Sequence, residues 1–346
     1  MDQNIKILKE ILTKDAMNVA SCMDFRDLAN KSIMITGSNG LIGINFLVSL
    51  IQITSNIPGI NVYPVIHSSP SVFLLPFLSN QRITVYKGDL TDERFVATLP
   101  CVDIIIHAAG SGIPGRFLSN KLSSLKINTL TTLKLFEKLN KDGRFLFISS
   151  SDLYNGLVSE RYSEDQIGTT NTNHPRACYI EGKRTGETIC NIYHEMGVNA
   201  YSVRLSLTYG PGLTFDDSRV LPSFIRKALD EKIELLDSGA ASRTFCYISD
   251  AIELMWFVLL HGKHSLYNIG GKGNIKISDL AAMIGKILNV PVQYPILESG
   301  ILGAPQHVCL DINRILLESK KERFIELQEG LRNTITWYSY LKKLQG

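Results

Sequence analysis

Ser32-Ile33-Met34-Ile35-Thr36-Gly37-Ser38-Asn39-Gly40-Leu41-Ile42-Gly43 is the stretch that decides the fold. Its first five residues form a short, largely apolar run rich in β-branched side chains, the composition of a buried strand. Three glycines spaced GxxGxxG follow, and Ile44–Ile53 then reads as a helix. Strand, glycine turn and helix open a βαβ unit. Small residues there let the backbone approach a pyrophosphate, whose charge is met by free amides and the dipole at the helix N-terminus. Turns use glycine routinely, so the glycines alone say little; the flanking strand and helix make Gly37, Asn39, Gly40, Leu41, Ile42 and Gly43 candidate dinucleotide contacts.

Further strand-like runs lie at Asn61–His67, Ile83–Tyr86, Val102–His107, Arg144–Ser149 and Ala200–Leu205, with helix-compatible segments between most of them. This alternation predicts an α/β fold, a Rossmann-like doubly wound parallel sheet with helices on both faces. After Leu205 the rhythm breaks at Tyr209-Gly210-Pro211-Gly212. The expected organisation is a helical extension over 1–30, a dinucleotide-binding domain over 31–206 and a smaller, partly interleaved substrate-binding region over 207–346. Ile5, Leu8, Ile11 and Leu12 share one helical face, so the extension should pack on the body.

Composition narrows the function classes. The chain has 346 residues, 45% hydrophobic and 20% charged, with a net charge of +3. Thirty-six basic and 33 acidic residues are interspersed, which gives no footprint for nucleic acid and no basic tract for a membrane surface. The six cysteines lie far apart without CxxC pairs, and His67, His174, His261, His264 and His307 show no ligand spacing, so no metal is expected. The segment MDQNIKILKEILTKD carries acids and no uninterrupted apolar core, so no signal peptide or membrane span is expected and the cytoplasm is the expected location.

Where the second strand ends, the residue that usually binds the adenosine ribose is an acid; here the chain reads His67-Ser68-Ser69, which leaves NAD and NADP both open. Asp89 and Leu90 follow the third strand, Asp89 as a candidate for the adenine amino group or a plain loop aspartate. Ala108 and Ala109, in His107-Ala-Ala-Gly110, end the fourth strand with the small side chains that close cofactor passage requires. Tyr179 and Lys183 are one helical turn apart on one face. An ammonium there favours the phenolate and would draw a phenol of pKa about 10 toward general-base work. Ser150, after the fifth strand, is the third member, with Ser151 and Asp152 beside it.

This combination resembles the extended short-chain dehydrogenase/reductases, the NAD-dependent epimerase/dehydratase family, over nearly everything from Ser32 onward. The resemblance implies that Ser150, Tyr179 and Lys183 are catalytic and that Asn128 supports the active-site helix and cofactor. It implies that Arg243 pairs with a nucleotide diphosphate, that Arg204 stands at the turn into the substrate region, and that Arg204 and Arg219 are substrate-binding. Cys178-Tyr-Ile-Glu-Gly-Lys-Arg184 is similar to the CYDEGKR of UDP-glucuronate decarboxylases, with Ile180 in place of Asp, and Ser150-Ser-Asp152 is similar to their serine motif. The implied chemistry is C4 oxidation of a nucleotide-sugar by bound NAD(P), then decarboxylation of a hexuronate. Arg116 is a candidate carboxylate partner or a solvated loop arginine, and Ser151 and Asp152 would sit near C5–C6.

Alternative outcomes are 4-epimerisation, 4-keto reduction and a non-catalytic dinucleotide-binding relative. A 4,6-dehydratase is disfavoured, because its Asp-Glu acid and base pair reads Ser151-Asp152 here. Helices over Leu122–Leu139 and Arg184–Met196 correspond to those that relatives pair into a four-helix homodimer interface.

Overall fold

A computed structural model describes residues 2–295 and 306–345. Seven strands form one parallel sheet. They are β1 (Ser32–Thr36), β2 (Asn61–Ile66), β3 (Tyr86–Lys87), β4 (Val102–His107), β5 (Leu139–Ser150), β6 (Asn199–Leu205) and the late strand Leu266–Ile269. Their spatial order is Leu266–Ile269, β6, β5, β4, β1, β2, β3. The chain therefore steps outward from β1 to β3, then returns to the other side of β1. That reversal opens a crevice at the carboxyl ends of β1 and β4, where α/β sheets bind their ligands.

Side chains alternate across the sheet as strand geometry requires. Ile33, Ile35, Ile104, Ile106, Leu146 and Ile148 face one core, while Met34, Ile105, Phe145 and Phe147 face the other. On the first face lies α2 (Leu41–Thr54), whose residues 43–50 are buried on every side of the helix. An all-round apolar helix needs cover on both sides. The sheet supplies one side, and α1 (Gln3–Ala20) and the helix Ile248–His261 supply the other, with Trp256 Nε1 donating to Ser49 Oγ of α2 at 3.0 Å. Leu8 and Leu12 of α1 are fully buried, and Ile5 and Ile11 flank them half-buried.

Three expected elements differ. The helix expected over Leu122–Leu139 is two, Lys121–Asn128 and Leu130–Phe136, broken at Thr129. Thr129 and Thr132 hydroxyls donate back to the carbonyls of Leu125 and Asn128, a bond that competes with regular helix. β5 begins at Leu139, well before Arg144, through a shifted register against β4. The strand expected over Ile83–Tyr86 keeps a single bridge, Ile83 to Val62, and pairs regularly only at Tyr86–Lys87.

On the buried face of α1, Asp15 accepts from Tyr247 Oη at 2.7 Å. Burial pushes its carboxyl up to about 6, with the Tyr247 hydrogen bond partly offsetting and Asp250 and Glu329 adding repulsion. A carboxyl whose folded pKa is raised stabilises the fold while protonated and loses that contribution as pH climbs from about 4 through about 6. Asp15→Asn is therefore expected to stabilise the protein by about 1–2 kcal/mol at pH 8, after the cost of the new amide donors. Thermal melts should show the gain at pH 8 and none at pH 4; an equal Tm change at both would refute the assignment.

Candidate active site

The turn after β1 is built for close approach. Gly37 has φ +69°, and a Cβ there would lie 2.6 Å from the Ala108 carbonyl oxygen. Gly43, one turn into α2, would place a Cβ 2.4 Å from the Gly37 carbonyl oxygen. Gly40 opens α2 without any side-chain cap, so first-turn amides keep their donors for a ligand. These features fit a pyrophosphate cradle at the switch point between β1 and β4.

A cleft of about 1150 Å³ runs from this turn across the carboxyl edge of the sheet. Gly37, Asn39, Gly40, Leu41 and Ile42 line one end together with His67 and Ala108. Ser150, Ser151, Asp152, Tyr179 and Lys183 line its middle, and Arg116, Arg219 and Arg243 reach it from the far side. Among the described residues, the glycine turn, the serine segment, the tyrosine–lysine helix and three of four expected arginines thus meet in one cavity.

Tyr179 sits on the helix Ala177–Glu195, its ring stacked on Phe117 at 4.6 Å and 9°. Ser150 hydrogen-bonds its hydroxyl, and the loop at Gly112 passes close by. Ser150 Oγ also accepts from the Asp152 amide at 3.2 Å, which fixes the hydroxyl at the end of β5. Lys183 is buried one turn below Tyr179; its Nζ donates to the Ile148 carbonyl at 2.6 Å and lies over the Phe147 and Tyr179 rings at 4.8 and 5.8 Å.

The spacing argument for an acidified phenol is corrected here. Burial pushes Tyr179 up to about 12 and Asp152 adds to the rise, while Ser150, Arg219 and Arg176 pull against it. Lys183, pulled down to about 7 by burial against the charge of Glu187, is aimed at a carbonyl rather than at the phenol oxygen. Spacing placed the ammonium on the correct face, and the fold aims it at the Ile148 carbonyl.

Other expectations separate. Arg204 does not reach the cleft: its guanidinium is buried against Glu187 at 2.8 Å and donates to Tyr154 Oη and to the carbonyls of Glu164 and Gln166. Ser149 Oγ donates to the same Glu187 carboxylate at 2.5 Å, so this arginine braces β5 and β6 against the Tyr179 helix. Asp89 accepts from the Thr91 amide and hydroxyl at 2.8 and 2.9 Å, the behaviour of a loop aspartate, and Leu90 is buried in the second core. Neither lines the cleft.

Ala109 lies just behind the cleft wall, its amide bonded to Thr36 Oγ1. Asn128 is buried behind Gly110, its amide donating to the Ser124 carbonyl and its Oδ1 without a partner. Arg116 is exposed at the rim and ion-paired with Asp216 at 2.8 Å. Arg219 pairs with buried Asp217 at 2.7 Å, and Arg243 donates to the Ser242 and Gln306 carbonyls.

Two residues escaped the sequence reading. Arg176, in a segment expected to be plain loop, lines the cleft and ion-pairs Asp152 at 2.9 Å with both side chains mostly buried. Its signal was available: it stands three residues before Tyr179, so one helical turn puts it beside the phenol. Phe117 stacks on Tyr179 from 62 residues away, and nothing local announces that contact.

The profile of the NAD dependent epimerase/dehydratase family matches residues 33–270. UDP-glucuronic acid decarboxylase 6 of Arabidopsis thaliana is 28% identical over 306 residues, 88% of this chain and 87% of the relative. dTDP-4-dehydro-6-deoxy-D-allose reductase of Streptomyces sp is 25% identical over 329 residues, 91% of this chain and 98% of the relative. The crystal structure of UDP-glucuronic acid 4-epimerase from Bacillus cereus, in complex with UDP-glucuronic acid and NAD, matches with a TM-score of 0.75 at 24% identity, covering 90% and 99% of the two chains. At that identity the structural likeness speaks for the fold alone.

Proposed function

The chain belongs to the NAD dependent epimerase/dehydratase family, and from that premise we propose that it is an NAD-using enzyme that oxidises C4 of a UDP-hexuronate and releases the C6 carboxylate as CO2. The reading is carried by the Arg176–Asp152 ion pair beside the Ser150–Tyr179 hydrogen bond. Elimination across C5–C6 needs a proton donor beside the C6 hydroxyl. The position offers a serine hydroxyl, and the neighbouring carboxylate is occupied by a guanidinium. A uronate instead needs cations around its carboxylate and diphosphate, and Arg176, Arg219 and Arg243 line one cavity.

In this reading Gly37, Asn39, Gly40, Leu41, Ile42 and Gly43, with His67, Ala108 and Ala109, hold the dinucleotide along the sheet edge. When bound, NAD supplies the acceptor for the C4 hydrogen, and its positive ring favours the tyrosinate. Tyr179 takes the C4 hydroxyl proton, with Ser150 holding that oxygen in line. Lys183, anchored on the Ile148 carbonyl, keeps the helix face in register with β5. Loss of CO2 then follows from the β-keto acid itself, with Ser151 and the Asp152–Arg176 pair flanking C5–C6; C5 would take a proton in place of CO2, and Tyr179 would return its proton to O4 as the hydride goes back to C4, which leaves a UDP-pentose. Described residues beyond Leu205, among them Asp217, Arg219, Leu236, Arg243 and Val308, line the rest of the cleft and would face the sugar nucleotide. Six free thiols suit a reducing cytoplasm, and no helix among the described residues is long and apolar enough to cross a membrane.

Incubation of the purified enzyme with UDP-glucuronate and NAD should give CO2 and a UDP-pentose by mass spectrometry. A C4-inverted product of unchanged mass would replace this reading with epimerisation, and stoichiometric consumption of added reduced cofactor with reductase action.

The homodimer reading rests on the helices Lys121–Asn128, Leu130–Phe136 and Ala177–Glu195, which leave large apolar side chains exposed. Leu122, Leu130, Ile192 and Met196 are each at least 50% exposed there, an unusual cost for a monomer. Leu122→Glu with Leu130→Glu should convert a dimer to a folded monomer in light scattering; a wild-type protein already monomeric at micromolar concentration would end the idea.

A further inference from the structure

We propose that Glu187 is a positioning residue for the C4 oxidation: acting through Ser149, it holds the Ser150 hydroxyl in line with Tyr179. The proposal rests on the C4-oxidation reading above and deepens it with two buried residues that touch neither sugar nor dinucleotide in that reading.

Tyr179, Lys183 and Glu187 stand at i, i+4 and i+8 on the helix Ala177–Glu195, so one helix face carries all three. Opposite them, β5 ends in Ile148-Ser149-Ser150. Each of the three helix residues holds one of these strand residues. Tyr179 is hydrogen-bonded to the Ser150 side chain, Lys183 Nζ donates to the Ile148 carbonyl at 2.6 Å, and Ser149 Oγ donates to Glu187 Oε1 at 2.5 Å. Three bonds one turn apart oppose any slip of the strand end along the helix axis.

The carboxylate is in turn fixed from the neighbouring strand. Register pairs Ser149 with Arg204, so both side chains project from the same face of the sheet, onto Glu187. Arg204 Nε donates to the two carboxylate oxygens at 3.0 and 3.2 Å, and Nη2 donates to Oε2 at 2.8 Å. Ser149 and Glu187 are both buried, which keeps water from replacing the bond between them. The same carboxylate favours the Lys183 ammonium against the burial that lowers it. Ser150 follows Ser149 directly in the chain, so freedom at Ser149 becomes freedom at the hydroxyl that meets Tyr179. Misplacement of a reacting group by about 1 Å can cost on the order of 10²-fold in rate.

Ser149→Ala removes the bond to Glu187 and leaves the Arg204–Glu187 ion pair in place. In the ligand-free protein, hydrogen exchange of the amides at 148–152 should quicken at least about threefold in this variant. Single-turnover reduction of bound NAD by a sugar nucleotide reads the C4 step, whichever product follows. Ser149→Ala should slow that step roughly tenfold, and Glu187→Gln at least as much, with the KM for sugar nucleotide and the Kd for NAD within about twofold of wild type. In a Tyr179→Phe background Ser149→Ala should slow it less than about twofold, because no phenol oxygen remains to be aligned. A brace without a positioning role would slow both backgrounds equally or neither. Unchanged exchange, wild-type speed in either variant, or equal slowing with and without the Tyr179 hydroxyl overturns the proposal alone. No reduction of bound NAD by any sugar nucleotide in the wild type overturns the C4-oxidation reading and this one with it.

Discussion

Tyr179→Phe is expected to lower kcat by roughly 10³-fold while leaving dinucleotide and sugar-nucleotide affinities within a few-fold of wild type. The ring keeps its place, because its stacking on Phe117 and its position over Lys183 involve only carbons. What disappears is one oxygen: the group hydrogen-bonded to Ser150 and raised to about 12 by burial and by Asp152. A proton acceptor of that kind contributes to the chemical step and little to ground-state binding, so the loss belongs in kcat rather than KM. Single-turnover measurement of cofactor reduction would place the effect on C4 oxidation. Activity within tenfold of wild type would remove Tyr179 from the chemistry.

Arg204→Met is expected to cost about 3–5 kcal/mol of stability, the order expected when one partner of a buried ion pair is removed. Glu187 would be left buried with only the Ser149 hydroxyl as a side-chain donor, and the Glu164 and Gln166 carbonyls would lose theirs. The double variant Arg204→Met, Glu187→Leu should recover part of that loss, because no orphaned charge remains. Denaturant titration of both variants measures it. If the single variant loses less than 1 kcal/mol, the network does not brace the fold.

Both predictions sit where sequence reading succeeded unevenly. Strand β4 and the start of β1 were legible to the residue, because buried parallel strands write a continuous apolar signal. The glycine turn and the Tyr179–Lys183 spacing were legible for the same reason, since each depends on neighbours a few positions away. Arg204 was misplaced because its partners come from three other segments, and nothing in the string Val203-Arg204-Leu205 distinguishes a ligand contact from an internal brace. The anchoring of Lys183 on the Ile148 carbonyl escaped the spacing, which reports direction and not the partners that folding supplies. Phe117 and the Arg176–Asp152 pair are products of folding, and only Arg176 left a local trace.

The late strand Leu266–Ile269 hydrogen-bonds β6, so the polypeptide that leaves the sheet after Leu205 comes back to it sixty-one residues later. Residues 206–265 are thus held to the sheet at both ends. Admission of the sugar nucleotide then falls to the small rim pieces, such as the Arg116–Asp216 clasp, whose exposed charges can part and rejoin at little energetic cost.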